Sequence, residues 1–313
     1  MALLLTGSDL AQCLPMEDAV ASVEAALTER AEQTLVSPPR TFWPVGPSGI
    51  TITPGGLLKQ GVVGFRVYLR GDRGDQLTAI WNVRDGALKG IILGPELGAT
   101  RTGAIGGVAV KWMAPRETPR IGVIGGGFQS RMQLLAVRAV RPKVAEVRVY
   151  RRDPARREEV AREWREETGL DVRPAESAEE AVKGAQIVIL ATTASEPAIQ
   201  ANWLLPECHV NSMGPAYRGR SEIGMDLLES ADTIATDTPE LYRAEPDFIL
   251  AGTPLMPKLK DLAEVVAAAP VRSDKGRTVF LSHGLSGTEV AVARQALSKA
   301  ALLGIGTEIS ATG

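Results

Sequence analysis

Cysteine is scarce in this sequence, and neither sign of charge dominates it. The 313 residues include two cysteines, Cys13 and Cys208, far apart and without metal-ligand spacing. No bound metal is expected from them; they read as reduced core thiols, as in a cytoplasmic protein. A formal net charge of −2 gives no reason to expect nucleic acid or an anionic membrane as partner. Apolar runs such as IVILA at 187–191 are far too short to span a bilayer. The first residues, MALLLTGSDLAQ, lack a basic region and a clear cleavage site, so they read as a first strand and not as a signal peptide. Internal repeats and low-complexity segments are absent as well. What remains is a chain that is 44% hydrophobic, with mean hydropathy near zero, long enough for two domains with sizeable cores.

The pattern along the chain changes near Pro115. Before it, residues 14–33 have apolar residues at helical spacing, and 35–58 are rich in Pro and Gly with short β-like runs. GVVGFRVYLR (61–70) and LTAIWNVRDGALKGIILG (77–94) read as a β-meander with a turn at Arg84-Asp85-Gly86. GATRTGAIGGVAVKWMA (98–114) reads as a helix despite its glycines. After Pro115, strands at 120–125, 146–151, 186–192, 208–213 and 232–236 alternate with helical segments, which predicts a parallel sheet covered on both faces. A helix at 260–270, a strand in RTVFLSHG and a long helix in TEVAVARQALSKAALLG close the chain.

Gly125-Gly126-Gly127-Phe128-Gln129-Ser130 follows a clean apolar strand and opens a helix. It fits G-x-G-x-x-S: Gly125 for the tight turn, Gly127 for close approach of a pyrophosphate, Ser130 for helix–strand packing. Backbone N–H groups at the helix start would face phosphates. The next strand, EVRVY, ends in Arg151 and Arg152, where an NAD site usually carries an acid. Two guanidinium groups suit a 2′-phosphate, so NADP(H) is expected over NAD(H). Two alternatives stay open: a solvated basic loop pairing with Glu158 or Glu159, or an NAD ribose served by Asp153.

RTGAIGGVAVKWMA just before the glycine turn, VSPPRTFWPV near residue 40 and LSHGLSGTEVAVARQALSKAALLGIGTEI at the end together resemble the ornithine cyclodeaminase/mu-crystallin family of NAD(P)-dependent enzymes. The resemblance covers nearly the whole chain. It implies an α/β protein with a Rossmann-type domain (116–280) inserted in a smaller α+β substrate-binding and dimerisation domain (1–115 with 281–313). It also implies a homodimer acting on amino acids, cyclic imines or oxo acids. Arg40 and Arg101 match the family's substrate arginines, Arg101 for the carboxylate. Thr102, Gly125, Gly127, Phe128, Gln129, Arg151, Arg152, Thr192, Thr193, Met213 and Gly214 are the expected cofactor contacts.

Two positions depart from the family. Arg66 stands where a catalytic lysine is usual, and Ala216 where the cyclodeaminases have an aspartate. An arginine is no general base near neutral pH, so ornithine-type cyclisation is not expected. Arg66 reads either as a third anion ligand beside Arg40 and Arg101 or as the partner of Asp72 or Asp75. Tyr68, on the same strand face as Arg66, and His283, otherwise a structural hydrogen-bonder, are the candidate proton donors beside water. The expected activity is an NAD(P)(H)-dependent oxidoreductase of a small anionic imine, oxo acid or amino acid. The alternatives are a cyclodeaminase-type lyase and a non-catalytic nucleotide or small-ligand binder.

Overall fold

A computed structural model describes residues 2–69, 75–268 and 276–310. The chain divides into two compact units, Met1–Ala104 with Leu285–Gly313, and Ile105–Gly284. The boundaries expected from the sequence lay elsewhere, at 115/116 and 280/281. The first division falls inside a helix instead. The second falls after Gly284, because a buried carboxylate of the second unit, Asp237, accepts from Ser282 Oγ, His283 N and Gly284 N at 2.9 Å each.

The first unit is a mixed sheet under helices. Its elements are β1 (Ala2–Leu5), α1 (Gly7–Cys13), α2 (Met16–Ala31), β2 (Leu35–Val36), β3 (Thr41–Val45), β4 (Ser48–Leu57), β5 (Val62–Leu69), β6 (Gln76–Asn82), β7 (Leu88–Leu93) and the start of α3 (Glu96–Met113); α10 (Thr288–Leu303) and β18 (Thr307–Ile309) return to it. The sheet runs β18-β1-β7-β6-β5-β4-β2, with β3 also on β4. Among the described strands of this sheet only β1 and β7 pair in parallel. The Pro/Gly-rich stretch becomes the ten-residue β4. Pro54 is tolerated there because it faces the gap between β2 and β3, where no partner needs its missing N–H. A Cβ on Gly55 would strike Gly287, so α10 starts on the sheet only where both residues are glycine, and Gly287 has φ +90°.

Strand alternation gives this sheet two unlike faces. On β5, Val62, Gly64, Arg66 and Tyr68 point one way, toward a side that buries Thr51, Thr53 and Thr78. Val63, Phe65, Val67 and Leu69 point the other way. Through the strand register they join Trp43, Ile50, Leu77, Trp81 and Leu93 in one apolar face. Much of that face is open: Trp43 is 50% exposed and Leu69 51%.

The second unit is a doubly wound parallel sheet. It contains β8 (Arg120–Ile124), α4 (Phe128–Val140), β9 (Glu146–Tyr150), α5 (Pro154–Thr168), β10 (Asp171–Pro174), α6 (Ala178–Val182), β11 (Ile187–Leu190), β12 (His209–Ser212), β13 (Ala216–Tyr217), β14 (Arg220–Ser221), α7 (Met225–Glu229), β15 (Thr233–Thr236), α8 (Pro239–Ala244), β16 (Leu259–Asp261), α9 (Leu262–Ala267) and β17 (Thr278–Leu281). The order is β10-β9-β8-β11-β12-β17-β15-β16. It reverses between β8 and β11, the switch point of a Rossmann sheet. The apolar strands feed two cores by alternation: Ile187 and Ile189 lie in one, Val188 and Leu190 in the other. Both cysteines are free and buried. Among the described residues no helix is long and apolar enough to cross a membrane.

Candidate active site

The polar face of the first unit's sheet gathers the arginines. Arg66 sits on β5 opposite Thr53 and Thr78. Arg101 rises from the second turn of α3. Fully buried Glu289, in the first turn of α10, links them: its Oε1 lies 2.7 Å from Arg101 Nη2 and 3.8 Å from Arg66 Nη1. Arg66 does not pair with Asp75, and Asp72 lies outside the described residues. Its Nε donates to Gln76 Oε1 at 3.1 Å, and Nη2 donates to the same oxygen. Its guanidinium carbon stands 4.5 Å from the centroid of the Tyr68 ring. Gly98 makes this pose possible, since a Cβ there would run into the guanidinium. Burial, then the charge of Arg101, push the Arg66 pKa down to about 10; Arg40 pushes the same way and Glu289 and Tyr68 oppose. Arg66 therefore stays a cation at neutral pH. Arg40 is exposed, just before β3, yet near enough for its charge to act on Arg66.

The cluster is incompletely satisfied. Arg101 is 5% exposed, and its Nε and Nη1 have no hydrogen-bond partner among the described residues; the same holds for Glu289 Oε2 and Thr51 Oγ1. Buried guanidinium N–H groups normally find acceptors. Nε and Nη1 lie on different edges of the guanidinium, so the open N–H groups are separate charged donors for an outside acceptor such as a carboxylate. Thr102, expected at the cofactor, donates its hydroxyl to Gly98 O at 2.8 Å.

The second unit carries the nucleotide features at the carboxyl ends of its strands. Gly125 has φ +127°, and a Cβ there would lie 2.5 Å from Ala191 O, so only glycine fits the turn. Gly127 caps α4 with open space around its Cα and no side-chain cap. The first-turn N–H groups behind it, at Phe128 and Gln129, thus lack a side-chain acceptor, which suits phosphate oxygens. Phe128 is exposed, and Gln129 Oε1 is buried without a partner among the described residues. Ser130 is buried, and its Oγ donates to Ala191 O at 3.4 Å. These residues fit a dinucleotide.

Arg151 lies beside the turn, its Cδ 3.1 Å from where a Gly126 Cβ would be. Neither Arg151 nor Arg152 has an acidic partner among the described residues; Glu159 pairs with Arg156 instead, at 2.6 Å. Asp153 is occupied in capping α5, accepting from Ala155 N at 3.1 Å. Arg157, stacked on Tyr150, donates from Nε to Arg151 O at 2.6 Å and so holds the two arginines' backbone.

Beyond the switch point, Thr192, Thr193, Met213 and Gly214 follow β11 and β12. Buried Glu222 connects them: Oε2 accepts from Thr192 N and Oγ1 at 2.8 Å each, and Oε1 from Ser212 Oγ at 2.8 Å and Gly214 N at 2.6 Å. Beneath Met213, His209 lies fully buried with Nε2 2.7 Å from Asn211 Oδ1, and burial pushes its pKa down to about 4. His283 follows β17 in an aromatic cluster, with Nε2 2.6 Å from Tyr242 Oη and Phe248 edge-on at 4.8 Å. Ala216, the position of the cyclodeaminase aspartate, is a buried core residue.

Three functional side chains escaped the sequence reading: Glu289, Glu222 and Asp237. Glu289 had a signal. It stands four and seven residues before Ala293 and Ala296, on the apolar face of α10, where a lone acid needs a buried cation. Asp237 directly follows a β-strand, at the end where such sheets place their functional loops. Glu222 had none, because its partners lie 8 to 30 residues away.

A solved structure of Δ1-pyrroline-2-carboxylate reductase from Thermococcus litoralis, in complex with NADH and L-proline, superposes with a TM-score of 0.86 at 28% identity, covering 98% of this chain and all of that one. The alanine dehydrogenase of Archaeoglobus fulgidus is 26% identical over 98% of each chain. The ketimine reductase mu-crystallin of Rattus norvegicus is 26% identical over 69% of this chain and 66% of its own. The family model for ornithine cyclodeaminase/mu-crystallin proteins matches residues 2–301, so a nucleotide sheet inserted within an arginine-bearing one has its explanation in descent: the chain belongs to that family.

Proposed function

We propose that the protein is an NAD(P)(H)-dependent oxidoreductase of an imine, oxo acid or amino acid whose carboxylate is held by arginines, and that it does not cyclise ornithine. The observation that carries this reading is the open guanidinium of Arg101, buried and lacking acceptors at Nε and Nη1 among the described residues. A nicotinamide cofactor supplies the hydride donor or acceptor when bound. The chain's own residues orient and neutralise. Arg101 holds the carboxylate, while Arg66 and Arg40 add positive charge. Three arginines against Glu289 leave a net charge of about +2, which favours an anion with up to two negative charges. Arg66 stays protonated and acts as a ligand, not a base. A substrate arriving as an iminium brings its own proton; otherwise Tyr68 Oη or water donates. His283 remains a candidate donor, with Tyr242 as its orienting partner. Most of the rate enhancement is then positioning and electrostatics.

The nucleotide is NADP(H) rather than NAD(H), held by Arg151 and Arg152. Their lack of acidic partners among the described residues and the engagement of Asp153 in its helix cap support this. The protein is a homodimer through the apolar sheet face of the first unit, a surface too large and contiguous to be left in water.

One assay series tests the activity. The protein is incubated with reduced cofactor and a panel of cyclic imines and oxo acids with ammonia, and separately with ornithine and NAD+. Net cofactor oxidation on the panel is expected. Ammonia and proline formed from ornithine without net reduction would replace this reading by the lyase; nucleotide binding with neither reaction would replace it by a binder.

A further inference from the structure

Glu222 does more than fill a polar gap. Its residue is completely buried, and it belongs to no element of the sheet that it touches. Burial pushes its carboxyl up, while four donors, two on each oxygen, pull the other way. Those donors sit at the end of β12 and on the loops that leave β11 and β12, two neighbouring strands. The backbone of Glu222 completes the tie: its N–H donates to Pro215 O and its C=O accepts from Ala198 N, each at 2.9 Å. Gly214 has no room for a Cβ, which would meet Glu222 and lie 2.5 Å from Thr192 O.

The sheet assigns the two halves of a dinucleotide to different places. Phosphates belong at the turn of Gly125–Gly127 and the start of α4. The adenosine half extends toward β9, where Arg151 lies. The other half must lie across the switch point, over the ends of β11 and β12. The Glu222 carboxylate bonds Thr192, Ser212 and Gly214, on the far side of the switch point from Arg151 and the glycine turn.

We infer that Glu222 is a positioning residue for the nicotinamide half of the cofactor: its carboxylate ties Thr192, Ser212 and Gly214 into one ledge at the ends of β11 and β12. This rests on the proposed dinucleotide binding. The test compares two ligands on the whole protein, reduced dinucleotide and ADP, by calorimetry, with thermal unfolding followed in parallel. In Glu222→Gln an amide NH2 replaces one acceptor and faces donors. Dinucleotide affinity should fall about tenfold or more, the size of one lost charge-assisted hydrogen bond. ADP affinity should stay within about twofold, since ADP occupies only the turn and the β9 side. Ser212→Ala removes a single donor without burying an unpaired amide, and should give the same split on a smaller scale, which keeps the test available if Glu222→Gln does not fold. An equal fall for both ligands, or no fall for the dinucleotide, would overturn the inference. A wild-type protein that binds ADP but no dinucleotide would remove the cofactor reading itself.

Discussion

Two clusters of buried charge differ in how they are satisfied. In the second unit, Glu222 and Asp237 each meet several donors, and every carboxylate oxygen has at least one. In the first unit, Arg101 and Glu289 pair with each other and leave two guanidinium nitrogens without an acceptor and Glu289 Oε2 without a donor among the described residues. Both arrangements are expensive to bury. Where the chain supplies all partners, the charge holds loops in place. Where it withholds them, something from outside must complete the set. A polar cluster's unfilled valence, more than its burial, separates a binding site from a brace.

The largest expected effect comes from emptying the open cluster. Arg101→Ala strands Glu289 without its cation, which should cost about 3–5 kcal/mol of stability in denaturant unfolding. Arg101→Lys keeps the charge and removes the open guanidinium donors. Its kcat/KM should fall on the order of 100-fold, with nucleotide affinity within about twofold, because hydrogen bonds to a charged group contribute about 1.5–3 kcal/mol. Nucleotide affinity falling in step with kcat/KM would mean that these donors serve the cofactor instead.

The brace side should reveal itself through acid. Burial lowers the His209 pKa from 6.5 to about 4, so the folded protein binds fewer protons than the unfolded chain between those values. Its contribution is intact above about pH 6.5 and is lost as pH falls toward 4, to the extent of about 3 kcal/mol. Urea midpoints measured from pH 7.5 to 4.5 should drop more steeply for the wild type than for His209→Gln. Parallel curves would assign the acid sensitivity to other groups.

Arg151→Ala should weaken NADPH binding by about 1.5–3 kcal/mol and leave NADH nearly unchanged, the worth of one charged phosphate contact. Calorimetry that finds NADH equal to or tighter than NADPH in the wild type would reverse the cofactor preference. The smallest effect is expected at Gly98→Ala. The methyl group displaces the Arg66 guanidinium, so substrate KM should rise severalfold, while helix propensity gains up to about 1 kcal/mol of stability. A variant that loses stability with KM unchanged would show that Arg66 yields without consequence.

Local pattern carried most of the fold. Alternation and turn residues placed β1, the β5–β7 meander and β8, β9, β11, β12, β15 and β17, since each strand's face is encoded within its own few residues, whereas the short β10, β13, β14, β16 and β18 carry too few residues to show a period. Gly125, Gly127 and Ser130 were legible for the same reason: turn, cap and packing contact are neighbours in sequence. Arg101 and Arg66 were legible through the family likeness, but their shared partner was not, because Asp72 and Asp75 are the acids nearest to Arg66 in sequence. Glu289 approaches them from a helix almost 190 residues beyond Arg101. Long-range pairs of this kind leave no period to read. The division of α3 at Ala104 was hidden for a related reason: a helix that continues without a break gives no boundary signal.

The first unit is assembled from segments on both sides of the second, and this has a bearing on synthesis. β1 pairs with β18, and α10 lies over β4, β5 and β6. The described strands of the second unit's sheet all precede α10, so while α10 is still unmade the earlier sheet lacks the helix that covers its polar side. Until α10 emerges, the segment made first is the one that a chaperone would find exposed, and a truncation within α10 should reduce folded yield far more than its length suggests.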